Sequence, residues 1–250
     1  MGKSSKSLQK LGTVWVTGAG SGIGAAMAKR FATEGYIVAV SGRSTESLAK
    51  ITSEIGEMGG EARAFPIDVM NREGVAETAK EIANWRNDIS ILCNNAGLNT
   101  PHRRWDDIDF AEWDAILDTN IKGAINVIAA TLPYMRAQQD GLIIHTSSWA
   151  GRFHAPVAGV PYGASKHALS DLSASLNAQE GANGIRSTAL HPGEVATPLL
   201  LRRPGFDPAR AEFMIQPDDM AEAALYVARA NPNIAIHEIT LAPVQRNPSA

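Results

Sequence analysis

A chain of 250 residues, 44% of them hydrophobic, has room for one α/β domain, or at most two small ones, with a real core. Its net charge of −3 has no strong asymmetry along the chain, which speaks against a nucleic-acid or membrane-surface partner. The one cysteine, Cys93, excludes an internal disulfide and a cysteine-based zinc site. The longest apolar candidate, Gly123–Met135, is interrupted by Asn126 and Pro133, so no segment reads as a transmembrane helix.

Residues 1–10 are polar and basic without the apolar stretch of a signal peptide, and read as a disordered lead-in. A cytoplasmic location is the default expectation. From residue 11 onward, short β-branched runs alternate with longer helical patterns. Strand Thr13–Thr17 leads into helix Ile23–Glu34, strand Ile37–Ser41 into helix Glu46–Glu57, and strand Ala62–Ile67 into helix Arg72–Trp85. Strand Ile89–Cys93 precedes helix Asn120–Gln138, Leu142–Thr146 precedes Tyr162–Glu180, Ile185–Leu190 precedes Asp218–Ala230, and Ile236–Leu241 comes last. Strands without strict alternation imply burial on both faces, as in a parallel sheet. The order predicts right-handed βαβ units in a single Rossmann-type domain over residues 11–250, an α/β fold with a doubly wound, seven-stranded parallel sheet. The Pro-, Gly- and Arg-rich stretch Pro198–Pro217 reads as an insertion covering a site, at about residues 197–216.

The first strand runs straight into Thr17-Gly18-Ala19-Gly20-Ser21-Gly22-Ile23-Gly24 at the start of a helix. Glycines permit a tight turn and close backbone approach to a pyrophosphate, and the helix N-terminus offers free N–H groups. The pattern T-G-x-x-x-G-x-G resembles the single-domain branch of the short-chain dehydrogenase/reductase family. Further matches follow in order: Asp68-Val69 after the third strand, Asn94-Asn95-Ala96-Gly97 after the fourth, Asn120, and Ser148 in Ser147-Ser148-Trp149-Ala150-Gly151. Tyr162-Gly163-Ala164-Ser165-Lys166 matches Y-x-x-x-K, and Pro192-Gly193-Glu194-Val195-Ala196-Thr197 matches P-G-x-V-x-T.

Tyr162 and Lys166 are four apart on a predicted helix and share a face. A cation about 5 Å from a phenol contributes roughly 3 kcal/mol at an effective dielectric near 20, about two pKa units. The pairing is therefore expected to lower the Tyr162 pKa toward the working range of an acid/base. The resemblance implies more. Ser148 would hydrogen-bond the substrate oxygen, Asn120 would hold a water in a relay to Lys166, and Lys166 would bind the nicotinamide ribose. Val195 and Thr197 would hold the carboxamide, and Asp68 and Val69 would contact adenine. Ser148 lies 14 residues before Tyr162, where the family more often shows 13. Ser147 stays open as the alternative, although Ser148 fits the S-x-x-G phrase ending at Gly151.

The expected cofactor set is Gly18, Ser21, Gly22, Ile23, Gly24, Arg43, Asp68, Val69, Asn95, Ala96, Gly97, Tyr162, Lys166, Pro192, Gly193, Val195 and Thr197. An acid after the second strand would select NAD(H). Gly42 stands there, followed by Arg43, which suits a 2′-phosphate, with Ser41 and Ser44 as further donors. NADP(H) is thus favoured over NAD(H). No metal site is expected. The resemblance also implies a homo-oligomer, a tetramer or dimer, through the helices Asn120–Gln138 and Tyr162–Glu180.

Cys93 and His145 read as core, His167 and His191 as structural, and Trp105 and Trp113 as helix packing. Arg152, Trp149 and His154 follow Ser148, where substrate contact is conceivable, and Arg103-Arg104 and Arg202-Arg203 suit either solvent or an acidic substrate. The expected function is NAD(P)-linked oxidoreduction of a small alcohol/carbonyl pair. Two rivals are a dinucleotide-binding regulator without chemistry and a nucleotide-sugar epimerase. The complete set Asn120, Ser148, Tyr162 and Lys166 argues against the first. The glycine spacing and chain length argue against the second.

Overall fold

The computed structural model describes residues 11–201, 203 and 205–244; the expected lead-in at 1–10 and Arg202 lie outside the described residues. Seven parallel strands form one sheet: β1 Thr13–Thr17, β2 Ile37–Gly42, β3 Glu61–Pro66, β4 Ile91–Asn94, β5 Gly141–Thr146, β6 Ile185–Pro192 and β7 Glu238–Leu241. Their spatial order is β3-β2-β1-β4-β5-β6-β7. The order reverses between β1 and β4, whose register pairs Val14 with Ile91 and Val16 with Cys93. A crevice opens at such a reversal, beyond the carboxyl ends of the two strands.

Helices α1 Gly22–Thr33, α2 Thr45–Glu57 and α8 Pro217–Ala228 cover one face of the sheet, and α3 Arg72–Arg86, α5 Ala124–Gln138 and α6 Val160–Glu180 the other. The two remaining α-helices of the described residues are α4 Phe110–Leu117, which packs against α6, and the single turn α7 Pro198–Leu201, which borders the crevice. Neighbouring positions of one strand feed opposite layers. Val14 and Val16 join Met27, Phe31 and Leu225, whereas Trp15 joins Ile82, Val127 and Met135. Both faces of the strand are therefore apolar, which is why alternation is absent from its sequence. Trp15 fills one layer and donates its indole N–H to Ser41 Oγ at 2.9 Å. Ser41 is thereby fully buried in the sheet, and the expectation that it meets a cofactor phosphate is overturned.

Two features were not expected. Helix α4 forms from Asp109, whose carboxylate accepts from Glu112 N at 3.1 Å as an N-cap. It continues into α5 through a π-helical segment, Asp118–Gly123, with Asn120 at its centre. Trp105 is 71% exposed and rests on Trp113 of α4, with ring centroids 5.2 Å apart.

Candidate active site

The carboxyl ends of β1 and β4 are tied together where the sheet order reverses. Thr17 Oγ1 accepts from Asn95 N and Ala96 N at 3.0 and 3.1 Å. The Asn95 amide donates to the Thr17 and Gly18 carbonyls at 3.0 and 3.3 Å. This clamp draws the glycine turn against the β4 turn. A Cβ on Gly24 would lie 2.4 Å from the Gly18 carbonyl oxygen, and Gly18 itself holds a φ of +64°. Both positions therefore require glycine.

The helix caps show what this turn is open to. Ser44 Oγ accepts from Ser47 N at the start of α2, and Asn71 Oδ1 accepts from Gly74 N at the start of α3. Ser21 makes no such bond at the start of α1. The first amides of α1 are left to a ligand, with the positive end of a helix behind them. Gly18, Ser21, Gly22 and Ile23 line a cavity of about 620 Å³. Thr197 closes over it, its Cγ2 being 3.2 Å from where a Gly22 Cβ would stand. These residues fit a dinucleotide pyrophosphate. Arg43 is exposed just beyond β2, and Ser44 beside it is occupied as the α2 cap. Asp68 is exposed and Val69 buried against Gly123. Gly24, Arg43, Asp68, Val69 and Ala96 do not line the cavity.

At the opposite end, Ser148, Tyr162 and Lys166 line the same cavity. Lys166 is buried, donates to the Thr146 carbonyl at 2.7 Å, and holds its Nζ 5.4 Å from the Tyr162 ring centre. Burial lowers its pKa to about 8. The separation is the expected one, but its consequence for Tyr162 is not. Burial pushes the phenol above its ordinary value, against smaller lowering by a hydrogen bond with Ser148 and by the Arg203 and Arg103 charges. Desolvation is the largest of these effects and sets the direction.

The two candidate serines separate. Ser147 Oγ is buried and donates to the Lys166 carbonyl at 2.9 Å. Ser148 Oγ accepts from Ala150 N at 3.1 Å, which leaves its proton for a partner in the cavity. Asn120 is buried and fully engaged: it accepts from Leu98 N at 2.8 Å and donates to the Leu98 carbonyl and to Ser165 Oγ at 3.0 Å each. It fixes the strand-end loop beside Lys166, since a Cβ on Gly97 would lie 3.1 Å from Asn120 Oδ1 and 3.4 Å from Lys166 Nζ.

Pro192, Gly193, Val195 and Thr197 form the wall between the two ends. Gly193 N donates to the Leu241 carbonyl at 2.7 Å. Val195 pairs with Ile215, which closes the base of the insertion, and Pro198, Leu199, Leu200 and Arg203 from its first half roof the cavity. The loop after Ser148 contributes less than expected. Arg152 pairs with Glu238 at 3.0 Å, and Trp149 stacks on Phe153 at 4.5 Å. Neither these residues nor His154 lines the cavity, whereas Ala158 does. Asn99, Thr100 and Arg103 also line it, from a loop that carries no motif.

His145 is buried, with burial lowering its pKa to about 3, and His191 Nδ1 lies 3.1 Å from the Ser148 carbonyl. Folding also gathers His102, Asp109 and Glu112, whose ligand-type atoms lie within 4.8 Å of one another. They serve one another: Glu112 accepts from His102 N at 3.1 Å, and Asp109 caps α4. No described helix is long and apolar enough to cross a membrane.

This arrangement is the Rossmann-type fold of dinucleotide-linked oxidoreductases. The chain matches the short chain dehydrogenase family over residues 12–204. It is 34% identical over 230 residues to an uncharacterized oxidoreductase of Staphylococcus saprophyticus, covering 92% of this chain and 96% of that one. An alcohol dehydrogenase from the archaeon Thermococcus sibiricus, complexed with 5-hydroxy-NADP, superposes with a TM-score of 0.84 at 27% identity, covering 95% of this chain and 99% of that one. The closed form of a serine dehydrogenase complexed with NADP+ gives 0.85 at 29%, covering 95% and 97%. The protein belongs to the short-chain dehydrogenase family and is an oxidoreductase.

Proposed function

We propose that the protein is an NADP(H)-dependent dehydrogenase/reductase of a small alcohol/carbonyl pair, with Tyr162 as its general acid/base. The observation that carries this reading is one cavity with two ends: an uncapped helix N-terminus over a glycine turn, and a Ser148–Tyr162–Lys166 cluster facing it. A dinucleotide held there would supply or take up the hydride. Gly18, Ser21, Gly22 and Ile23 would hold its pyrophosphate, Asn95 and Gly97 its middle, Lys166 its nicotinamide ribose, and Val195 and Thr197 its carboxamide.

Ser148 donates its hydroxyl proton to the substrate oxygen when substrate is bound and stabilises the charge that develops there. Tyr162 passes its proton to the same oxygen during reduction. Burial suits it to that direction, because a raised pKa keeps the phenol protonated at neutral pH. Lys166 stands behind it and stabilises the phenolate left after transfer. Asn120 positions Leu98 next to Lys166, where a relay water would replace the proton. Arg43, following Gly42 where an acid would select NAD(H), supports NADP(H) through a charge-assisted contact to the 2′-phosphate. The NADP-bound relatives point the same way.

Loss of NADPH absorbance across a panel of aldehydes, ketones, oxo acids, sugars and steroids tests the reading. The wild type is expected to turn over some member with NADPH at least about tenfold more efficiently than with NADH, as one charge-assisted contact allows. Tyr162→Phe should lose about 10²–10⁴-fold in kcat. Full turnover by Tyr162→Phe refutes the mechanism, and a clear preference for NADH refutes the cofactor assignment.

A further inference from the structure

Arg103 belongs to none of the motifs, yet it lines the cavity with Ser148 and Tyr162. Its position is fixed from both ends. Its carbonyl accepts from Val160 N at 2.9 Å, tying the loop after β4 to the start of α6. Its stem lies on Gly159, where a Cβ would come within 2.5–2.7 Å of Arg103 Cβ, Cγ and Cδ. Gly159 also holds a φ of +87°, so a side chain there is disfavoured twice. The backbone is shaped to admit this arginine beside Tyr162.

The guanidinium has no compensating partner. Among the described residues no carboxylate forms a salt bridge or hydrogen bond with it; Asp107 acts on it only through space. Burial and the neighbouring Arg203 charge both weaken its hold on its proton. Arg203 differs, being paired with Glu194, which also takes Arg210 at 3.0 Å. The ionisable side chains lining the cavity, apart from Tyr162, are Arg103, Lys166 and Arg203 against Glu194. A chain with a net charge of −3 thus places a net of two positive charges around its cavity. A half-buried, unpaired cation is costly unless an anion arrives. Arg103 is close enough to Tyr162 to lower its pKa, and it is held at the start of the Tyr162 helix. The anion it receives therefore sits beside the reacting oxygen.

We propose that Arg103 is a specificity-determining residue that binds a carboxylate of the substrate, so that the enzyme acts on short hydroxy or oxo acids in preference to neutral alcohols and ketones. This rests on the reductase reading above for the claim that the bound acid is a substrate. The planar fork of arginine matches a carboxylate with two parallel hydrogen bonds, which a neutral amide cannot reproduce.

The test reads binding apart from turnover. Calorimetric titration of the NADPH-saturated protein, in which an alcohol has no hydride acceptor, compares glycolate, 3-hydroxypropanoate and 4-hydroxybutyrate, each against its primary amide. At least one acid is expected to bind about ten- to a hundredfold more tightly than its amide, the worth of a charge-assisted pair. Arg103→Met keeps the stem on Gly159 and should abolish the difference while leaving NADP+ affinity unchanged. Arg103→Lys keeps a charge without the fork and should retain only part of it. The proposal is overturned if no acid outbinds its amide in the wild type, or if either the full preference survives in Arg103→Met or Arg103→Lys matches the wild type. NADPH consumption with the matching oxo acids is measured separately. Its absence alongside an intact acid preference sinks the reductase reading and leaves the anion site standing.

Discussion

The two ends of the cavity are built by different physics. At the dinucleotide end the contacts converge on the backbone: the Gly18 carbonyl lies under Gly24, and the Asn95 side-chain amide staples the β1 and β4 termini through main-chain carbonyls. At the substrate end the contacts are side chains from separate segments, with Arg103 from the loop after β4, Ala158 before α6, and Leu199, Leu200 and Arg203 from the insertion. The first kind tolerates almost no change of residue type. The second tolerates many combinations, each giving a different pocket on the same frame. A phosphate is the same in every dinucleotide, whereas carbonyl substrates differ.

Gly24→Ala is the strongest test of that contrast. Its methyl group would meet backbone that cannot swing away, so the turn must open. Overpacking of this sort costs about 1–3 kcal/mol, and roughly tenfold in affinity per 1.4 kcal/mol. Calorimetry should find dinucleotide binding weakened roughly 10–100-fold, with a thermal midpoint lower by about 2–4 °C per kcal/mol. Wild-type affinity in Gly24→Ala would break the claim that backbone packing defines this end.

The pH dependence sharpens the other side. On the proposed mechanism, reduction needs the proton on Tyr162 and the charge on Lys166 behind it. The phenol is raised and stays protonated longest; the ammonium, lowered to about 8, titrates first. Carbonyl reduction should be level below about pH 8 and decline above it by up to tenfold per unit. A reduction rate that already falls between about pH 5 and 7 would contradict this order of titration.

The smallest effect is expected at Arg152. Its pair with Glu238 is half-exposed on both sides and contributes at most about 1 kcal/mol. Arg152→Ala should leave kcat/KM within about twofold, since one exposed pair bears on stability and not on the cavity. A larger loss would place the loop after Ser148 back over the substrate.

The six long helices were legible because each is a run long enough for its period to show, and most strands because they are short β-branched runs apolar on both faces. The glycine turn was legible because its geometry admits few residue types. Helix α4 and the π-helical segment were missed. Phe110 is 73% exposed, so α4 has a weak apolar stripe, and π-winding leaves no periodic signature over six residues. Ser41 was misread because the hydroxyl that partners Trp15 from across the sheet looks, in sequence, like any strand-end serine. Ser147 and Ser148 differ by one position, and only the hydrogen bond from Ser147 to the Lys166 carbonyl separates their roles.

By itself the sequence determined the parallel sheet, the family, and which residue types stand at the turn and on the α6 face. Those follow from constraints within a few neighbouring residues: hydrophobic runs, backbone angles open only to glycine, and the four-residue repeat of a helix. The tertiary structure alone decided the sign of the Tyr162 shift, the identity of the unpaired cation beside it, and the lining of the pocket. Those depend on desolvation and on charges tens of residues apart in the chain, which no local pattern encodes.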